Sequence, residues 1–192
     1  MDQGGHFPLE RALVRIWRDG VPVGAGFLVG PAHLFTAAHV VADVIGVAPD
    51  GPAPGHARLL VDFPLIAPDR LFPAELAVWV PEGIDPPGDI AGLRLLETPP
   101  ATARPLVLST RRPTGDQVVM LGFPRGLPFG SWLHGRLGGT VATGWREILS
   151  EPTHGAAVER GFSGTPVWSS SSDTAVGMVV RSIRGAPPKS VT

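Results

Sequence analysis

The chain has 192 residues, enough for one large domain or two small barrels, and its 16 basic and 17 acidic side chains leave a net charge of −1. No basic run marks a nucleic-acid or anionic-membrane partner, and no apolar stretch reaches the ~18 residues that a membrane-spanning helix needs. With no cysteine there are neither disulfides nor thiolate metal sites, which points to the cytoplasm rather than to a disulfide-stapled secreted protein.

Met1 to His6 lack the basic segment and apolar stretch of an export signal. Beyond them, short apolar runs recur between Gly, Pro and Asp at 12–17, 23–29, 33–36, 57–63, 74–80, 90–96, 105–108, 117–122, 138–143, 166–168 and 175–181. Short punctuated runs without sustained 3.6-residue periodicity predict an all-β fold. The 22 prolines argue against long helices, so helix is expected only in short turns such as the one after His39. The stretch 97–105 reads as a linker, dividing the chain into halves 1–104 and 105–192. Ser169 to Ser172 read as a hairpin loop, and the tryptophans as barrel packing. Lys189 is the only lysine against 15 arginines, a bias of the kind a GC-rich bacterial genome imposes.

Three residues carry chemistry in their local settings: His39 in Phe35-Thr36-Ala37-Ala38-His39-Val40, Asp89 in Asp89-Ile90-Ala91-Gly92-Leu93, and Ser163 in Gly161-Phe162-Ser163-Gly164-Thr165-Pro166-Val167. A serine hydroxyl attacks a peptide carbonyl only when an imidazole takes its proton. That imidazole needs a carboxylate on its other ring nitrogen to fix the tautomer and stabilise the imidazolium. Taken singly, His39 reads as a core histidine, Asp89 as a turn cap and Ser163 as a loop serine. Asp85 is an alternative to Asp89, but only Asp89 directly precedes a predicted strand. His6, His33, His56, His134 and His154 have no metal-ligand spacing, and no metal or cofactor is expected.

The order His39, Asp89, Ser163 is that of the chymotrypsin architecture, whereas α/β-hydrolases and subtilisins use other orders. A hydrolase elbow would also need glycine where Thr165 stands. Together the motifs resemble those of the trypsin-like peptidases over about residues 12 to 181, and Leu121-Gly122-Phe123-Pro124-Arg125-Gly126 resembles the turn that opens their second barrel. The form of the serine segment is most similar to intracellular actinobacterial domains fused to signalling or defence modules.

The resemblance implies two six-stranded antiparallel β-barrels with His39 and Asp89 on the first, Ser163 on the second and the site in the cleft between them. It implies His39 as general base, Asp89 as its orienter, Ser163 as nucleophile, and the N–H groups of Gly161 and Ser163 as oxyanion donors. Phe162 stands where zymogen-activated relatives carry an aspartate, so the oxyanion loop is expected to be held by packing of Phe162 or to await an ordering partner. Val180 stands where many relatives place a serine bonded to the aspartate. Ala157 falls near the base of the specificity pocket, with Val158, Val180 and Arg181 along it. That favours a small or medium apolar residue before the cut, although Arg160, Arg181 or His154 would suit an acidic one. A protein or peptide substrate follows, with regulatory or effector domains in cis or in trans. Because relatives continue for another strand, the chain reads as a piece of a longer protein. The competing reading is a dormant binding module that keeps the fold without catalysis.

Overall fold

The structure is a computed structural model that describes residues 8–81, 88–111, 114–141, 145–150 and 160–180. Six strands, β1 (Leu13–Arg18), β2 (Val21–Leu28), β3 (His33–Thr36), β4 (Arg58–Phe63), β5 (Ala67–Val80) and β6 (Ile90–Leu95), close into a barrel in the order β1-β2-β3-β6-β5-β4. A second, curled sheet has β7 (Gln117–Gly122), β8 (Ser131–Thr140), β9 (Arg146–Ser150), β10 (Pro166–Ser169) and β11 (Thr174–Met178) in the order β11-β10-β7-β8-β9. Helix among the described residues is confined to α1 (Pro8–Ala12) and α2 (Ala38–Ile45). Neither is long and apolar enough to cross a membrane.

Most strands lie where the apolar runs predict them. Residues 105–108 do not form a strand and make one isolated bridge, Leu108 to Ala175. On β8 the buried Leu133, Gly135 and Leu137 alternate with exposed Trp132, His134 and Arg136. This is the period-two pattern of a half-buried strand, which a search for continuous apolar runs passes over.

The end of the 97–105 stretch is tied to α1 by Arg104 N–H, which donates to the Arg11 carbonyl at 3.1 Å, and the residues after it are tied to both sheets. Leu106 N–H donates to the Leu28 carbonyl of the barrel at 2.9 Å, and Ser109 N–H to the Ala175 carbonyl of the second sheet at 2.9 Å. Ala103 and Leu106 are buried with Trp168 and Ala175 in the same core cluster as the barrel interior.

β1 is covered on both faces. Val14 and Ile16 face the barrel core with Phe27, Leu34, Val61, Phe72 and Leu93. Leu13 packs the other way, with Ala25, Leu121 and Phe123. Arg15 shares the Leu13 side of the strand and stands opposite Asp62 in the β1–β4 register. The Arg15 side chain is 7% exposed and that of Asp62 0%. Burial at that depth requires every charge to be partnered. Here Arg15 Nε donates to Asp62 Oδ1 at 3.0 Å and Nη2 to Oδ2, while Trp17 Nε1 donates to Oδ1 at 2.9 Å. Arg15 Nη1 reaches the Pro128 carbonyl, 2.5 Å away on the β7–β8 loop.

The serine run forms the β10–β11 hairpin, organised by one carboxylate. Ser169 Oγ donates to Asp116 Oδ2 at 2.5 Å and Ser171 Oγ to Oδ1 at 2.6 Å. These bonds, Ser169 first, hold the Asp116 pKa below the usual carboxylate value against an opposing effect of burial.

Two expectations follow. Arg15→Met leaves the buried Asp62 carboxylate without its counter-ion and should cost about 3–5 kcal/mol in urea unfolding, whereas Arg15→Met with Asp62→Leu should regain most of it. Because folding lowers the Asp116 pKa, its contribution is present above the ordinary carboxylate range and disappears as pH falls through the lower folded value. The stability gap between the native chain and Asp116→Asn should therefore shrink on acidification from pH 7, as read by urea unfolding at each pH.

Candidate active site

β3 and β6 run antiparallel with Thr36 opposite Ala91, so the exit of β3 lies beside the entry of β6. His39 follows the first strand by three residues and Asp89 immediately precedes the second, which brings these two distant segments together. Thr36 is fully buried, and its Oγ1 donates to the Ala25 carbonyl at 2.7 Å. Ala37 and Ala38 are also fully buried, so the motif before His39 is a tight entry into α2.

Helix α2 begins without a side-chain cap of its own, its N-cap being Ala37. The first N–H groups of a helix need acceptors from elsewhere, and Asp89 supplies one. His39 N–H donates to Asp89 Oδ1 at 2.8 Å, while His39 Nδ1 lies 2.7 Å from Oδ2. The carboxylate thus fixes both the backbone and the ring of one residue. It is also favourably placed at the positive end of the helix. The Asp89 side chain is 2% exposed and that of His39 30%, leaving part of the imidazole open to the cleft. Asp89 adopts φ 68°, a left-handed conformation that Asp tolerates better than most residues. Its N–H donates to the Pro81 carbonyl at 3.1 Å.

Ser163 arrives from the second sheet and is joined to the barrel through its own carbonyl, which accepts Ala25 N–H at 2.9 Å. Gly164 makes that approach possible: a Cβ there would lie 2.0 Å from the Ala25 carbonyl oxygen, and φ is +83°. On the other side of Ser163, the fully buried Thr165 donates from Oγ1 to the Leu121 carbonyl at 2.8 Å. Gly161 has φ +106°, and a Cβ would fall 2.2 Å from the Phe123 carbonyl oxygen. Its carbonyl accepts Phe123 N–H at 2.9 Å. Phe162 is 1% exposed and packs with Val118, Met120, Leu133 and Val167, its ring occupying the space that a Cβ on Gly122 would need. Among the described residues, this packing of Phe162 is what fixes the start of the serine loop.

His39, Gly161 and Ser163 line one cleft of about 320 Å³, walled by Val23, Val40, Val47 and Pro49 with Asp43 and Arg160 also on its lining. Asp89 stands behind His39. Val180 lines a different cavity of about 200 Å³, with Ile90, Trp145 and Met178. Ala157, Val158, Arg181, His154 and the alternative carboxylate Asp85 lie outside the described residues. Sequence reasoning passed over Arg15 and Asp62. The available signal was a charge inside each of two apolar strands, Leu13-Val14-Arg15-Ile16-Trp17 and Leu59-Leu60-Val61-Asp62-Phe63.

A closed six-stranded barrel joined to a second curled sheet is the chymotrypsin-like two-barrel fold. The trypsin-like peptidase domain family matches residues 24–178, and the chain belongs to it. Among solved structures it is similar to the Rv3671c protease of M. tuberculosis in an inactive form, with 26% identity and a TM-score of 0.60 over 90% of this chain and 78% of that one. Two more distant structures share the fold. Neuropsin, a serine protease from mouse brain, has a TM-score of 0.64 at 14% identity over 92% of this chain and 84% of that one. A serine endoprotease from Yersinia pestis has 0.61 at 17% identity over 95% and 60% respectively. Among curated proteins none matches the chain.

The double bond to Asp89 makes Asp89→Asn informative. His39 N–H can only donate, so the amide oxygen must take the Oδ1 position, which turns the NH₂ toward Nδ1. The proton of neutral His39 should then move from Nδ1 to Nε2, with an expected loss on the order of 10⁴ in kcat. Ring ¹⁵N shifts of His39 in the two proteins check the first step, and peptide turnover checks the second.

Proposed function

We propose that the chain is a serine endopeptidase that cleaves peptide bonds through an acyl-enzyme. The observation that carries this reading is that His39, Gly161 and Ser163 line one cleft while Asp89 holds the far side of the His39 ring. Ser163 Oγ attacks the substrate carbonyl as His39 takes its proton, and the developing oxyanion is received by the N–H groups of Gly161 and Ser163. His39 then gives the proton to the leaving amine. Water, activated by the same imidazole, releases the acyl group and regenerates Ser163. No step requires a cofactor.

The substrate in this reading is a protein or peptide with a small or medium apolar residue before the cut. The setting is the bacterial cytoplasm, supported by the absence of cysteine. The form of the serine segment, Glu159-Arg160-Gly161-Phe162-Ser163-Gly164-Thr165-Pro166, supports restricted cleavage under the control of attached or partner domains, as in a signalling or defence effector.

Intact-mass labelling with a fluorophosphonate tests the reading. The native chain is expected to take up one probe per molecule, and Ser163→Ala and His39→Ala none. A folded native chain that stays unlabelled, or a Ser163→Ala protein that still labels, would overturn it.

A further inference from the structure

We infer that Arg15, clamped by Asp62, is a positioning residue for the oxyanion glycine Gly161; the inference rests on the peptidase reading above. The backbone of Gly161 lies directly against residues 123–124: a Cβ would be 2.2 Å from the Phe123 carbonyl oxygen and 2.7 Å from Pro124 Cα. Phe123 N–H also donates to the Gly161 carbonyl. Whatever sets the backbone of Phe123 therefore sets the plane of the peptide that follows Gly161, and limits how Gly161 can turn its N–H.

That backbone is held from the barrel by Arg15, at both ends of its loop. At the near end the guanidinium carbon lies 5.5 Å from the centre of the buried Phe123 ring, within the range of a cation–π contact. At the far end Nη1 donates to the Pro128 carbonyl. Between them, Leu127 N–H bonds the Pro124 carbonyl and Gly130 N–H the Leu127 carbonyl, both at 2.9 Å, so the loop has its own frame. Arg15 in turn cannot swing away. Both carboxylate oxygens of Asp62 engage it, and Trp17 lies 4.9 Å from its guanidinium carbon while donating to the same carboxylate. Phe162 anchors the serine loop on the second sheet by burial. The connection from Asp62 through Arg15 and Phe123 to Gly161 is the matching hold from the first barrel.

A buried pair that only joins the barrels can be replaced by apolar groups of similar size without consequence for chemistry. The variant Arg15→Met with Asp62→Leu makes that replacement, and fluorophosphonate inactivation resolves kinact from KI. The expected result is a kinact lower by about 10-fold or more, a fraction of the 10²–10³ that loss of a whole oxyanion donor costs, with KI and melting temperature close to native. An unchanged kinact in a folded double variant overturns the inference and leaves the peptidase reading standing. A native chain that does not label overturns both. Should the double variant fail to fold, Arg15→Lys decides. It keeps the charge facing Asp62 but not the planar fork that also reaches Pro128, so a reduced kinact at native KI supports the inference and a native kinact overturns it.

Discussion

The Asp89 carboxylate is the interaction on which the site depends, because its two oxygens hold the backbone N–H and the ring of His39 at once. A ring held only by its own bond to a carboxylate can pivot about the side-chain torsions. When the start of the helix is tied to the same carboxylate, pivoting is opposed at both ends. The arrangement follows from topology, since the β3–β6 pairing delivers a strand exit and a strand entry to the same place. It also accounts for a helix that begins at alanine without a conventional cap. The left-handed backbone of Asp89 is the local strain that this placement retains.

A second constraint is that Ser163 must be held to a barrel other than its own. The carbonyl of Ser163 accepts the N–H of Ala25, and the carbonyl of Ala25 accepts the hydroxyl of Thr36. One peptide segment of β2 therefore connects the serine loop to the strand that leads to His39. Close approach at this seam requires small groups, and Gly24, Ala25, Gly26 and Gly164 meet there. A Cβ on Gly24 would press on Val40 of α2, and one on Gly26 would press on the Phe35 carbonyl. At this seam the approach is fixed by a backbone bond over small residues, beside the side-chain contacts that Arg15 and Leu13 make with the second sheet.

How much of this was legible in the sequence differs by element. The first barrel was readable because its strands are continuous apolar runs bounded by Gly, Pro and Asp. The placement of His39 and Ser163 on one cleft is legible because each sits in a motif whose flanking residues are structural: Thr36 bonds Ala25, and Gly161 and Gly164 take positive φ at points of close approach. β8 is harder to read, since exposed Trp132, His134 and Arg136 interrupt the buried residues at every second position. The tie of residues 103–109 to both halves is carried by backbone carbonyls, which leave no mark in side-chain pattern. Arg15 and Asp62 stand 47 residues apart, and only the β1–β4 register pairs them.

Buried polar side chains among the described residues show where the fold accepts a cost. Apart from Ser169, they are Arg15, Thr36, Asp62, Asp89 and Thr165, and each bonds a group in the seam between barrel and sheet or in the segments that carry His39 and Ser163. Burying a charge or hydroxyl is unfavourable unless its partners are placed well, and apolar replacements would give a comparable core at less risk. Their concentration at the seam and in the segments that carry His39 and Ser163, rather than through the barrel interior, fits a role in direction. A hydrogen bond fixes an angle as well as a distance, whereas apolar contact mainly fixes a distance. The barrel core needs only the second. A site that, in the proposed mechanism, holds an imidazole, a hydroxyl and two N–H groups in one relation needs the first.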